Sequence, residues 1–213
     1  MKKNTVKAVL LAGVLGLAAA GGVSAYLTDY DGAANEFTVG SVNIELQEPG
    51  WEPDKYTKIE PYTDIVKDPQ IRNTGLNDAF VYLEISVPAA EVTAAAQDGS
   101  RTEQKRQELF SFHADENWTV LDTKVSENST VYVYAYNKIL KPGEITVPVF
   151  ESVRFLNITE GQLDGQKLDI PVRAYAIQTA YTGGDGSTVL EQAGEAYEKY
   201  ANQNRNRDGR VTE

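Results

Sequence analysis

Three segments of this chain alternate apolar and polar side chains with a period of two residues. They cover residues 79–87, 131–136 and 168–176. Side chains of a strand point to opposite faces in turn, so this period indicates a strand with one face against a core. Strands of this kind are typical of antiparallel sheets. The pattern therefore predicts a mainly β fold.

Turn sequences separate these segments from further strand candidates. Asn73-Thr74-Gly75 and Lys141-Pro142-Gly143 are two of the turns, and the other candidate strands are residues 36–46, 64–72, 118–125, 145–149 and 152–157. About eight short strands joined by polar turns are typical of sandwiches. We predict an antiparallel β-sandwich of jelly-roll type over residues 37–182.

Two regions are predicted to be helical. Residues 89–97 and 102–110 are rich in Ala, Glu, Gln, Lys and Arg, which indicates a helical insertion at about 89–110. Near the C-terminus, Thr188 and Glu191 have the spacing of a capping box. Apolar residues then recur at helical spacing, which predicts a helix over 188–202, followed by a disordered tail over 203–213.

The first 25 residues have the three parts of a secretory signal peptide. Lys2, Lys3 and Lys7 precede an uncharged apolar run at 8–23, and small residues, Ser24 and Ala25, follow it. The run is shorter than the roughly 20 residues of a membrane span, although an uncleaved anchor is the alternative. We expect a signal peptidase to cut between Ala25 and Tyr26, so that the mature protein is secreted.

The charge of the chain argues against nucleic acid as a partner. The whole chain has a net charge of −11, and removal of the three signal-peptide lysines makes it −14. A chain this acidic repels phosphate backbones.

Few residues are available for catalysis. The chain has no cysteine and a single histidine, His113, which lies in a polar stretch. Thiol chemistry and two-histidine metalloprotease helices are therefore excluded, and we expect neither an enzyme nor a cofactor. One acidic cluster resembles the start of a calcium loop, with a solvated turn as the alternative; its residues are Asp29, Asp31, Asn35 and Glu36.

A row of tyrosines allows two interpretations. Tyr132, Tyr134 and Tyr136 are spaced to share one strand face. Such a face could bind carbohydrate, or it could pack against neighbouring strands, which we favour.

The junction after the signal peptide carries a more specific pattern. Ala25-Tyr26-Leu27-Thr28-Asp29 and the stretch 35–46, with Phe37, Gly40 and Asn43-Ile44, resemble the start of the TasA and camelysin family. These are exported proteins of Gram-positive bacteria whose signal peptide is processed by a dedicated signal peptidase of the SipW type. Leu27 stands where an aromatic is commoner. Residues 67–75 and 79–84 look like the family's second block, and 170–180 like its last core strand.

The resemblance implies a jelly-roll domain and a structural role in extracellular fibres of the biofilm matrix. In fibre-forming members, the N-terminal segment freed by cleavage adds as a strand to the next subunit. Here the donor strand would be residues 26–36, with contacts from Tyr26, Leu27, Thr28, Asp29, Tyr30 and Phe37. The resemblance thus implies a homo-polymer, with other matrix or cell-surface proteins as further partners. A flexible arm, or a strand of the same domain, is the alternative for this segment.

Two other functional classes stay open at this stage. The camelysin name implies a secreted metallopeptidase, although no catalytic motif is present in the sequence. A monomeric surface adhesin or binding module is the third class.

Overall fold

The computed structural model describes residues 41–56, 59–96, 98–182 and 184–208 of the chain. The predicted signal peptide, the arm at 26–36, Phe37 and the calcium candidates lie outside the described residues. Within the described ranges there is a short 3-10 helix at Pro53–Tyr56, one α-helix, α1, at Val189–Asp208, and ten strands. The strands are β1 Ile44–Gln47, β2 Asp64–Val66, β3 Gln70–Asn73, β4 Ala79–Val92, β5 Lys105–Glu108, β6 Phe110–Phe112, β7 Trp118–Val125, β8 Ser129–Tyr136, β9 Ser152–Phe155 and β10 Val172–Gln178.

The largest sheet is built around β4. Its strands lie in the order β10-β4-β8-β7, all antiparallel, and β5 pairs with the C-terminal part of β4. Strand β4 is apolar on both faces because both are covered: Leu83 points into the main core, and Tyr82 lies under helix α1. A strand with two covered faces reads as a nearly continuous apolar run.

A second sheet has the order β2-β9-β6, and β1 pairs separately with β3. The chain passes from the first sheet to the second at Leu109, whose N–H donates to Pro88 O and whose carbonyl accepts from Leu156 N, both at 2.8 Å. This bend curls the sheets into a half-barrel. The mainly β, antiparallel class predicted from the sequence is confirmed, while jelly-roll connectivity stays a prediction.

The core fills the space between the sheets. Its largest fully buried members include Ile71, Leu83 and Phe150, and all the buried core residues in the described part of the chain lie between Ile65 and Ala196. A chain that begins at Phe37 therefore keeps this core complete.

The predicted helical insertion at 89–110 is wrong. Strand β4 continues to Val92, and β5 pairs back on it with Ala89 opposite Glu108. The helix-favouring composition is overridden because strand pairing buries Val92 and Leu109, each 1% exposed. Residues 89–92 and 105–108 are thus part of the large sheet, and a loop joins them.

Several predicted strands differ in extent. Among the described residues, the strand predicted at 36–46 begins at Ile44, and the one predicted at 152–157 ends at Phe155. Residues 64–72 form two strands, β2 and β3, which belong to different sheets. Residues 145–149 form an irregular segment rather than a strand, with one isolated bridge at Ile145 and further hydrogen bonds such as Thr146 N to Ile71 O at 2.9 Å. Strand β10 begins at Val172 rather than at 168.

Helix α1 begins with the capping box found in the sequence. Glu191 N donates to Thr188 Oγ1 at 3.2 Å, and Thr188 N donates to Glu191 Oε2 at 3.0 Å. Ala193 and Ala196 lie on the side of the helix that packs against the outer face of the large sheet. At this contact, Tyr82 OH donates to Ala193 O at 2.8 Å. The helix continues to Asp208, which corrects the predicted tail at 203–208.

The capping box predicts a pH-dependent contribution to stability. Hydrogen bonds, first from the Ser187 hydroxyl, lower the pKa of Glu191 below its ordinary 4.5. A carboxyl whose pKa is lowered by folding stabilises the folded protein at pH values above its unfolded-state pKa. This stabilisation is lost as the pH falls through the folded-state pKa. We expect Glu191→Gln to lower the Tm most near neutral pH, with the difference shrinking in acid, in thermal melts at several pH values. Glu198→Gln, an exposed carboxyl on the same helix, is the control; a pH-independent effect of Glu191→Gln would contradict the prediction.

Candidate functional site

Strand β10 forms an open edge of the large sheet. Among the described strands it pairs only with β4, from Val172 opposite Ile85 to Gln178 opposite Ala79, without a register shift. The bonds Ser86 N to Pro171 O and Thr179 N to Asp78 O flank this ladder. Backbone groups alternate in direction along a strand. The N–H and C=O groups of residues 173, 175 and 177 therefore point to β4, and those of 172, 174, 176 and 178 point outward.

The inward side chains of β10 are incompletely covered. Val172, Ala174 and Ala176 face the core but are only half-buried, whereas Leu83, opposite Ala174 on β4, is fully buried. Apolar side chains gain free energy in proportion to the area removed from water. One more strand beside β10 would cover this remaining apolar area.

An open groove lies between β10 and β1. Its volume is about 680 Å³, and it is lined by Ile44 and Leu46 of β1 and by Val172, Arg173, Ala174 and Tyr175 of β10. Strand β1 packs beside β10, and no ladder joins them within the described ranges. The groove therefore combines apolar side chains, together with the charged Arg173, with outward backbone groups on β10, which is chemistry that suits an extended peptide segment.

The other edges of the two larger sheets are protected, including that of β5, which is four residues long and carries Lys105, Arg106 and Glu108. Strand β7 has a bulge between Val120 and Asp122, and it carries the ion pair of Lys124 with Asp122 at 3.1 Å. The edges of the second sheet, β2 and β6, are three residues long each. Bulges, charges and shortness all hinder the addition of a strand. Strand β10, with seven residues in unbroken register, is the edge best suited to accept one.

The charges at the groove lie on its outer side. Arg173 Nη1 is 3.9 Å from Glu84 Oε1 on β4. Burial under helix α1, and then the charge of Glu84, raise the pKa of Tyr175, which keeps its hydroxyl neutral. The inner side of the groove is apolar, so an incoming strand would meet a charged face and an apolar face.

The tyrosine row of β8 points into the half-barrel. Tyr132 and Tyr134 pack on Phe112, with ring centroids 6.0 and 6.3 Å away, and Tyr136 packs on Trp118 at 5.0 Å. Burial, followed by a hydrogen bond to Glu108, raises the pKa of Tyr132 to about 12. These contacts support the packing interpretation over a carbohydrate platform.

The structure brings few of the other sequence candidates together. His113 is exposed, and no group of three His, Cys, Asp or Glu side chains suited to a metal occurs among the residues that the structure describes. The donor strand, the cleavage site and the calcium candidates lie outside those residues.

None of the helices in the described part of the chain is long and apolar enough to cross a membrane.

Comparison with known proteins found no matching family model, no matching curated protein and no matching solved structure. The resemblance to the TasA and camelysin family therefore stays a prediction from the motifs.

Sequence analysis predicted β10 as a strand but did not identify its open edge. The order of strands in a sheet depends on long-range pairing, and residues 172–178 read like any half-buried strand. The sequence indicates the open edge only when the two edge strands are compared: β7 carries two charged residues, Asp122 and Lys124, and β10 carries one, Arg173.

The open edge predicts alternating hydrogen exchange along β10. In a chain lacking residues 26–36, we expect the amides of Ala174 and Ala176 to exchange roughly tenfold or more faster than those of Arg173 and Tyr175, which are bonded to β4. Amide exchange followed by NMR measures this. Uniformly slow exchange of all four amides would show that the edge is covered.

Proposed function

We propose that this protein is secreted and assembles into extracellular fibres, in which residues 26–36 of one copy add as a strand to β10 of the next. The observation that carries the proposal is the unprotected seven-residue edge of β10 beside an apolar groove. An unpaired edge is a template for another strand, and main-chain hydrogen bonds supply affinity in such complexes. The motif resemblance at the junction supports the same function.

The lengths of the two segments are compatible. At about 3.3 Å per residue, eleven residues extend over roughly 36 Å, whereas the seven residues of β10 extend over roughly 23 Å. The arm can therefore pair along the whole of β10. Four residues, 37–40, then connect it to the described part of its own subunit.

The side chains of the arm also match the groove. In an extended arm, Tyr26, Thr28 and Tyr30 share one face, and Leu27, Asp29 and Asp31 share the other. When the tyrosines enter the apolar inner side, the two aspartates come to the outer side, where Arg173 lies. An opposite-charge pair there favours this orientation of the strand.

Such an interface is head-to-tail. The donor segment and the acceptor edge are different surfaces, so each subunit can give one strand and accept one, and the contact grows into a filament when it does not close. While the signal peptide is attached, Tyr26 is not a free terminus, and assembly waits for cleavage outside the cell. A jelly-roll connectivity, partners in the matrix or at the cell surface, and calcium at the arm belong to the same proposal.

Removal of the arm is the first test. We expect the chain that begins at Tyr26 to form filaments in negative-stain electron microscopy, and the chain that begins at Phe37 to stay monomeric and folded. Circular dichroism of both chains is the control for folding. If both stay monomeric at high concentration, polymerisation is not the function.

A proline at the outward edge separates strand addition from other contacts. Ala174→Pro removes an N–H that points away from β4, so the β10–β4 ladder of the monomer is kept. An added strand would lose the hydrogen bond from this N–H and would clash with the proline ring. We expect the concentration needed for filaments to rise about tenfold or more, measured by sedimentation. Ala174→Ser, which keeps the N–H, is the matched control. Equal assembly of the two variants would show that β10 is not the acceptor.

A further inference from the structure

The turn that joins β3 to β4 contacts the point where the arm joins the domain. We refer to it as the loop at 73–78, which includes Asn73, the last residue of β3. Thr74 N donates to Asn43 O, and Leu76 N donates to Ser41 O, both at 2.9 Å. We call residues 41–43 the arm root, because they lie between residues 26–40 and strand β1. The loop thus holds the arm root by its backbone.

The same loop contacts the end of β10. Thr179 N donates to Asp78 O at 3.1 Å, and Asn77 Nδ2 donates to Gln178 Oε1 at 3.4 Å. Strand β1, which begins just after the arm root, is one wall of the groove, and β10 is the other. The loop therefore contacts both the segment that leads into one wall and the C-terminal end of the strand that forms the other wall.

A buried asparagine stabilises the loop. Asn73 is fully buried, and its Nδ2 donates to Asn77 O and Leu140 O, each at 2.9 Å. Its Oδ1 accepts from Gly75 N at 2.9 Å. Because each of these groups is satisfied inside the protein, the loop has a defined conformation.

Gly75 makes the contact with the arm root very close. A Cβ at this position would lie 2.5 Å from Ser41 O and 2.7 Å from Asn43 N. Both are backbone atoms, so a side chain here requires the arm root to move. No other residue type fits without displacing the arm root from the loop.

We propose that the loop at 73–78 couples the groove to the arm, so that filling the groove of a subunit strengthens the hold on its own arm root. The proposal rests on the function proposed above. A strand inserted beside β10 contacts both β1 and β10. The loop is hydrogen-bonded to the end of β10 through Asp78 and to the arm root, which leads into β1. Coupling between two sites is reciprocal, so a held arm root also favours a filled groove. Its consequence is directional growth, because the subunit that has just accepted a strand presents its own arm in a fixed direction.

The test uses a synthetic peptide of residues 26–36 and the chain that begins at Phe37, which keeps the described core. Slower exchange at the amides of Ala174 and Ala176 reports that the peptide binds at the groove. Slower exchange at Thr74 and Leu76, which donate to the arm root, reports coupling. With saturating peptide, we expect exchange at Thr74 and Leu76 to slow by roughly 5-fold or more, the lower end of typical coupling.

Gly75→Ala is the variant that separates the two effects. We expect it to bind the peptide at least roughly 5-fold more weakly, with fast exchange at Thr74 and Leu76 that the peptide does not change. Gly99→Ala is the control, because a Cβ at this position meets nothing within 4 Å. Its positive φ makes alanine unfavourable there, so this variant reports the effect of a destabilising glycine substitution away from the arm root. This control should bind and respond like the unaltered chain.

Each outcome supports or overturns a distinct claim. No slowing at Ala174 and Ala176 would overturn strand addition and the coupling that rests on it. Slowing there without any change at Thr74 and Leu76 would overturn the coupling alone, and so would a Gly75→Ala chain that responds like the unaltered one. The measurement on the unaltered sequence decides the matter even if Gly75→Ala does not fold.

Discussion

Backbone hydrogen bonding along β4 is the interaction on which the rest of the structure depends. This strand pairs with β8 on one side and with β10 and then β5 on the other, so its polar backbone groups are satisfied along its length. Complete pairing allows its side chains to be buried on both faces. Strand β10 has the same ladder on one side only among the described residues, and its inward side chains are half-buried. The contrast between the two strands identifies the candidate site.

Both faces of the large sheet are covered, so only its edges are available for another strand. The main core covers the inner face, and helix α1 covers the outer face through Ala193, Ala196 and the hydrogen bond from Tyr82. A sheet covered on both faces has only its edges for adding backbone partners. The bulge and charges of β7 then leave β10 as the edge where a strand can add without a register break.

The groove and the arm root meet at one short loop. Asn73 and Gly75 are ordinary turn residues in sequence, yet here one is fully buried and the other touches the backbone of Ser41 and Asn43. The loop thereby ties together strand donation and strand acceptance, the two halves of the proposed assembly. The proposed polymer needs both halves in one subunit.

The local features of the fold can be read from the sequence alone. Period-two alternation predicted most of β4, β8 and β10, and the further strand candidate at 118–125 has the same bounds as β7. The spacing of Thr188 and Glu191 predicted the helix cap, because a capping box depends on residues within one turn. That residues 89–92 and 105–108 are strands depended on the tertiary structure, since their burial depends on β4 pairing with β5 and on the bend at Leu109. The open edge of β10 and the contact of Gly75 with the arm root were also decided there. Both arise between residues distant in sequence, where local propensity carries no information on which strands become neighbours.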